Sequence, residues 1–130
     1  LNHQMFKITI VKKEDAQNVA DYLEYKSKGI TLACYEEGEI TGAVCFDIIQ
    51  GNGYVQKVKT NDPNMKIVVG KAALNFLELH NIYNVYVNDE NDMEYFKTLG
   101  FKDTGNYPQE LGGSYVAYLN LEGYFDAHVH

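Results

Sequence analysis

The stretch from Ile30 to Thr60 constrains this chain most. It holds three runs of β-favouring residues: Ile30 to Glu36, Ile40 to Ile49 and Tyr54 to Thr60. Glycine-bearing turns separate them, at Glu36-Glu37-Gly38-Glu39 and at Gly51-Asn52-Gly53. Such runs joined by tight turns predict antiparallel hairpins. On the second run Ile40, Gly42, Val44, Phe46 and Ile48 are expected on one face, and Thr41, Ala43, Cys45 and Asp47 on the other.

Helices and further strands flank this meander. Phe6 to Val11 reads as a first strand. Ala16, Val19, Ala20 and Leu23 then recur at helical spacing after Lys13-Glu14-Asp15, with Lys26 and Lys28 late and Gly29 as the stop. Asp62-Pro63 reads as a helix start or a turn, followed by an apolar face of Val69, Ala72, Ala73, Phe76, Leu77 and His80. Tyr83 to Asn88 is a strand, and residues 91 to 99 are a short helix stopped by Gly100. Phe101 to Tyr107 and Tyr115 to Leu121 form a closing hairpin, and Gly123 to His130 is left unassigned. The order β-α-β-β-β-α-β-α-β-β in 130 residues predicts one mixed α/β domain. Its sheet has about seven strands, antiparallel first and parallel across the helix after Asp62.

Charge narrows the functions available. The net charge is −7, and all 11 basic residues are lysines. Without arginine there is no guanidinium fork for phosphate or carboxylate. An acidic chain of this kind is a poor nucleic-acid binder, whereas a cationic partner such as an amine suits its sign. No apolar run approaches the ~18 residues of a membrane span, so no membrane partner is expected. The two cysteines, Cys34 and Cys45, read as small buried hydrophobes. With Glu37-Gly38 at the centre of the hairpin, Cys34 falls opposite Thr41 and about 13 Å from Cys45, too far for a disulfide. Two unpaired thiols suit a reducing cytoplasm.

Two short stretches carry chemistry. Between Val55 and Asn75, Lys57, Lys59, Lys66 and Lys71 face a single acid, Asp62, a positive island in an acidic chain. A helix start among such lysines is a candidate anion site. Within it lies Met65-Lys66-Ile67-Val68-Val69-Gly70-Lys71-Ala72-Ala73-Leu74. The second stretch is Asn91-Asp92-Met93-Glu94-Tyr95-Phe96-Lys97-Thr98-Leu99-Gly100-Phe101, a helix that stops at glycine and enters a strand.

Together with the element order, these stretches resemble the GNAT-superfamily N-acetyltransferases over residues 5 to 121. The helix-Gly-Phe ending is similar to the last family motif. Gly70 with Lys-Ala-Ala-Leu is similar to the end of the loop that cradles the coenzyme A diphosphate, although Val68 and Met65 stand where the family has Gly and Arg or Gln. The resemblance implies a GNAT-like fold, acetyl-CoA as co-substrate, and direct transfer to a small-molecule or protein amine. It implies cofactor contacts at Val58 and Thr60 on one strand and at Lys66, Val68, Val69, Gly70 and Lys71. Asn88, Asn91 and Phe96 complete the set. Phe96 occupies the place of a family tyrosine and has no proton to give. If Asp62-Pro63 starts the helix, the cradle falls instead on residues 62 to 66. The catalytic candidates are Asp47, Glu110 and Tyr95, the last about 100° around the helix from Phe96.

His80 is expected in the core or at a helix C-terminus. No metal is expected, the alternating His of the tail at Asp126-Ala127-His128-Val129-His130 being a weak pattern. The alternatives are a catalytically degenerate acyl-CoA-binding domain, or an interaction module that forms a homodimer through the apolar 115–121 edge.

Overall fold

A computed structural model describes residues 6–87, 92–103 and 117–128, with residues 127 and 128 described by backbone alone. Six strands form one sheet in the order of the chain. They are β1 (Phe6–Ile10), β2 (Ile30–Glu36), β3 (Glu39–Ile49), β4 (Asn52–Thr60), β5 (Asn84–Val87) and β6 (Ala117–Asn120). The helices are α1 (Ala16–Leu23), α2 (Pro63–Leu79), α3 (Met93–Leu99) and α4 (Tyr124–His128). Neighbouring strands are antiparallel except β4 and β5, which run parallel across the α2 crossover. The expected strand from Phe101 appears in its described part as a single bridge, Lys102 to Tyr118, on the outer side of β6. The rest of that strand lies outside the described residues.

The sheet has two differently covered faces. On one, Leu32, Val44, Phe46, Val55, Val58, Val85 and Val87 meet α2 and α3 in the main core. The face of α2 that enters it is Val69, Gly70, Ala73, Leu74 and Leu77. Truncating a side chain buried as fully as Leu77 to alanine costs about 2–5 kcal/mol. On the other face Ala33, Ala43 and Cys45 meet Val19 and Leu23 of α1. Small residues in the sheet here let a short helix lie close.

Two bulges modify the expected register. Glu36 pairs with Glu39 and Tyr35 with Ile40, as the turn at Glu37-Gly38 requires, but Cys34 pairs with Gly42 and not Thr41. Thr41 is therefore an extra residue on β3, and its carbonyl accepts from the Asn61 N–H at 2.9 Å. The extra residue reverses the alternation. Ile40 consequently joins the α1 face, while Val44, Phe46 and Ile48 stay on the α2 face. Cys34 and Cys45 end on opposite faces as free, buried thiols. Burial pushes the Cys45 thiol up to about 11.

The second bulge is on β4. Cys45 pairs with Lys57 but Phe46 pairs with Val55, which leaves Gln56 as the extra residue.

The first helix also ends earlier than expected. Its C-cap is Glu24, in the left-handed region at φ 56°. Gly29 serves a different purpose: a Cβ there would lie 2.4 Å from the Phe46 carbonyl oxygen and 2.8 Å from Asp47 Cα. Only glycine lets the chain pass so close to β3. The tail contains α4, whose Tyr124 is buried and donates its hydroxyl to the Leu99 carbonyl at 2.6 Å.

Candidate active site

The functional geometry begins where the described ladder of β4 and β5 ends. Their parallel ladder joins Gly53–Val55 to Val85–Val87 and, among the described residues, goes no further. β4 nevertheless continues to Thr60, paired with β3 on its other side. The described ladder thus ends at the C-terminal side of two parallel strands, the place where open α/β sheets receive ligands; this end of the ladder is the strand gap. Past Val55 the β4 backbone groups on the β5 side have no ladder partner among the described residues, and such groups need one.

Gln56 marks the mouth of this gap. Its half-buried side chain has a buried Oε1 with no hydrogen-bond partner among the described residues. A buried acceptor left without a donor costs about 1–3 kcal/mol. Such an atom is accounted for when a ligand N–H arrives.

α2 starts immediately beyond β4, after only Asn61 and Asp62. Asp62 is its N-cap and accepts the Asn64 N–H on the carboxylate at 2.9 Å. The Met65 N–H donates to the Asp62 carbonyl at 3.0 Å, and Pro63 has no N–H. The Thr60 hydroxyl donates to the same Asp62 carbonyl at 2.8 Å.

The sequence-predicted cofactor residues fall in three places. Val58 and Thr60 lie on β4, Val58 buried under α2 and Thr60 at the strand end. Lys66, Val68, Val69, Gly70 and Lys71 all lie inside α2, so they form a helix and not a loop. Val68 is exposed and Lys71 half-buried, while Val69 and Gly70 are in the core. Asn88, Asn91 and Glu110 lie outside the described residues.

α2 and α3 meet at Gly70. A Cβ on Gly70 would stand 2.0 Å from the Tyr95 hydroxyl oxygen and 2.9 Å from Leu99 Cδ1. This glycine is thus demanded by helix–helix packing. Tyr95 donates its hydroxyl to the Lys66 carbonyl at 2.7 Å. Burial, then the charge of Asp92 and the neighbouring Tyr124, hold the Tyr95 phenol well above the usual tyrosine range. Lys66 forms an ion pair with Asp92, and its Nζ lies 4.7 Å from the centre of the Tyr95 ring. Phe96 is sealed in the core at 1% exposure, edge-on to Phe101 at 5.4 Å.

The opposite face of the sheet, beside the same gap, is aromatic. Tyr54 stacks on Tyr86 with ring centres 5.6 Å apart, and Tyr86 meets Tyr118 at 5.1 Å. Tyr118 donates to Asn84 Oδ1 at 2.6 Å. Asp47 pairs with Tyr54 across the β3–β4 ladder and is half-buried, its carboxylate accepting the Ile48 N–H at 2.8 Å. Tyr25 lies near enough that burial, then Cys45 and Asp47, raise its phenol above the ordinary value. A cavity of about 660 Å³ flanks α1, lined among others by Val11, Ala20, Glu24 and Thr31, and receives no residue of β4, α2 or α3. We place the site at this end of the β4–β5 ladder because Gln56 Oε1, without a partner among the described residues, belongs to β4 there.

His80 caps the end of α2, exposed, with Nδ1 2.7 Å from the Phe76 carbonyl oxygen and its ring stacked on Phe76. No group of three or more metal-ligating side chains occurs among the described residues. Among them, too, no helix is long and apolar enough to cross a membrane.

Comparison with known proteins places this geometry in a class. No protein-family model and no curated protein sequence matches the chain. Solved structures do. Tetrahymena GCN5 superposes with a TM-score of 0.70 at 14% identity, over 88% of this chain and 95% of the other. A GNAT-family acetyltransferase from Staphylococcus aureus Mu50 gives 0.69 at 13% identity, over 90% and 99%. N-acetylglutamate synthase from Neisseria gonorrhoeae, complexed with coenzyme A and N-acetylglutamate, gives 0.76 at 12% identity, over 92% of this chain and 36% of that one. The chain has the GNAT acetyltransferase fold, as its sequence resemblance implied.

Proposed function

We propose that this protein is an N-acyltransferase that takes an acyl group from acetyl-CoA or a related thioester and transfers it to an amine. The observation that carries the reading is the end of the β4–β5 ladder, which among the described residues stops at Val55 and Val87, beside the Gln56 Oε1 that has no partner among them. A pantetheine arm is an extended chain with two amides, so it can pair with a strand edge as a strand would. Gln56 Oε1 accepts an arm N–H in this reading. A β4 backbone N–H near the bulge polarises the thioester carbonyl.

The acceptor amine enters from the aromatic face. Asp47 and the net charge of −7 favour a cationic amine there. Asp47 takes one proton of the ammonium group, directly or through water, and a second leaves to solvent as the amide forms. The amine nitrogen bonds the carbonyl carbon, the C–S bond breaks, and the thiolate is protonated by solvent. Solvent is the donor because Phe96 has no acidic proton and the Tyr95 hydroxyl is committed to the Lys66 carbonyl.

The test is incubation with acetyl-CoA and a panel of primary amines and polyamines, reading thiol release and acetylated product together. Equal amounts of both support transfer. Thiol release without acetylated amine points to hydrolysis and against the reading.

The same two observations on Phe96 and Tyr95 favour a second reading, a domain that binds the thioester without turning it over. Phe96→Tyr does not separate the two, because Phe96 is sealed in the core and an added hydroxyl there disturbs packing as well as chemistry. Tight binding with no product across the amine panel separates them.

A further inference from the structure

The coenzyme A molecule has two recognisable ends, a pantetheine arm and a nucleotide diphosphate. Resting on the function proposed above, we infer that this protein recognises the arm and does not bind the diphosphate. Its donor class is therefore the acyl-pantetheine thioester, whatever lies beyond the arm.

Diphosphate binding at the end of β4 requires free backbone N–H groups at the start of α2. Here those donors are used. Pro63 has none, the Asn64 N–H is held by the Asp62 carboxylate, and the Met65 N–H is held by the Asp62 carbonyl. The residue that fills the position is itself an anion, so a phosphate entering there meets like charge before it meets any donor. The link from Thr60 to Pro63 is two residues long, too short to wrap a phosphate.

The positive island does not correct this. Lys57 and Lys59 pair with Cys45 and Ala43, which belong to the face covered by α1, away from α2. Lys59 donates to the Tyr22 carbonyl at 2.8 Å. Lys66 is neutralised by Asp92 and lies over the Tyr95 ring. Lys71 is half-buried two turns inside α2. Gly70, which the motif offers as a phosphate glycine, lies under the Tyr95 hydroxyl. The arm half of the site differs: among the described residues β4 past Val55 has no ladder partner on its β5 side, and Gln56 Oε1 has no hydrogen-bond partner.

The experiment is calorimetric titration of the full chain with acetyl-CoA and with acetyl-pantetheine, each at low and at moderate salt. The inference expects dissociation constants within tenfold of each other, with little salt dependence for acetyl-pantetheine and no tightening of acetyl-CoA at low salt. Acetyl-CoA binding more than tenfold tighter, with a gap that shrinks in salt, overturns it and leaves the proposed function standing. Binding of neither ligand overturns both. Asp62→Asn provides a second arm, since asparagine caps a helix as well as aspartate while removing the charge. It is expected to strengthen acetyl-CoA binding threefold to tenfold and leave acetyl-pantetheine and the melting temperature unchanged. Equal effects on the two ligands, or none, count against the role given to Asp62.

Discussion

At the scale of single residues, Gln56 and Gly70 bear opposite relations to the site. Gln56 holds a buried oxygen that the described fold leaves unmet. Gln56→Leu keeps much of the volume and removes that oxygen. It is expected to raise stability by about 1 kcal/mol and to weaken donor binding roughly tenfold, or about 1.4 kcal/mol. Thermal unfolding and titration of the same preparation check both signs. Gly70 is a packing glycine. Gly70→Ala drives a Cβ into the Tyr95 hydroxyl and is expected to cost about 1–3 kcal/mol, as overpacking does. Tyr95→Phe removes the obstructing atom, so Gly70→Ala should cost less in that background, with a coupling above about 0.5 kcal/mol in a double-mutant cycle. Tyr95 also sets a pH effect. Its folded pKa is raised, chiefly by burial, from the ordinary 10.0. The unfolded chain therefore loses this proton first, and the stability tied to the neutral phenol is present below about pH 10 and lost as the pH rises above it. Denaturant melts between pH 8 and 11 should fall less steeply for Tyr95→Phe than for the parent protein.

At the scale of elements, the start of α2 decides what the site can hold. Asp62→Ala removes the carboxylate that caps Asn64 and should cost about 1 kcal/mol, readable in urea melts, where Asp62→Asn should cost little. This start was legible in Asp62-Pro63, and with it the possibility that Val68 to Lys71 lie inside a helix. The motif match pulled the reading toward a loop, because a local string of residues carries no information about where its helix begins. The bulges were less visible. At Gln56, Val55 and Val58 are both buried on one face though three residues apart, a spacing that breaks the period of a strand and marks the extra residue. At Thr41 no such break exists, since Ile40 and Gly42 read equally well on one face. The end of α1 was misread because Gly29 satisfies the pattern of a helix stop, while its real cause is contact with β3, a partner distant in sequence. Glu24 in a left-handed conformation carries no residue signal.

At the scale of the whole molecule, the hairpins, the single parallel crossover and the α2 core face followed from turn glycines and apolar periodicity. These features are local or nearly so. The register of β4 against β5 could not follow from them, because it depends on how two strands separated by a helix align. The same holds for the Tyr54–Tyr86–Tyr118 row, assembled from three strands, and for the division of four lysines between the α1 face of β4 and α2. The fold is that of the GNAT acetyltransferases. The account's central claim is that the strand gap delivers an acyl thioester to an amine. The most direct measurement is paired quantification of free thiol and N-acetylated product with the parent protein and Gln56→Leu, across an amine panel at saturating acetyl-CoA. The account predicts equal formation of both products by the parent protein, and a higher donor KM for Gln56→Leu. Absence of acetylated amine from folded parent protein with every amine, or an unchanged donor KM in Gln56→Leu, would contradict it.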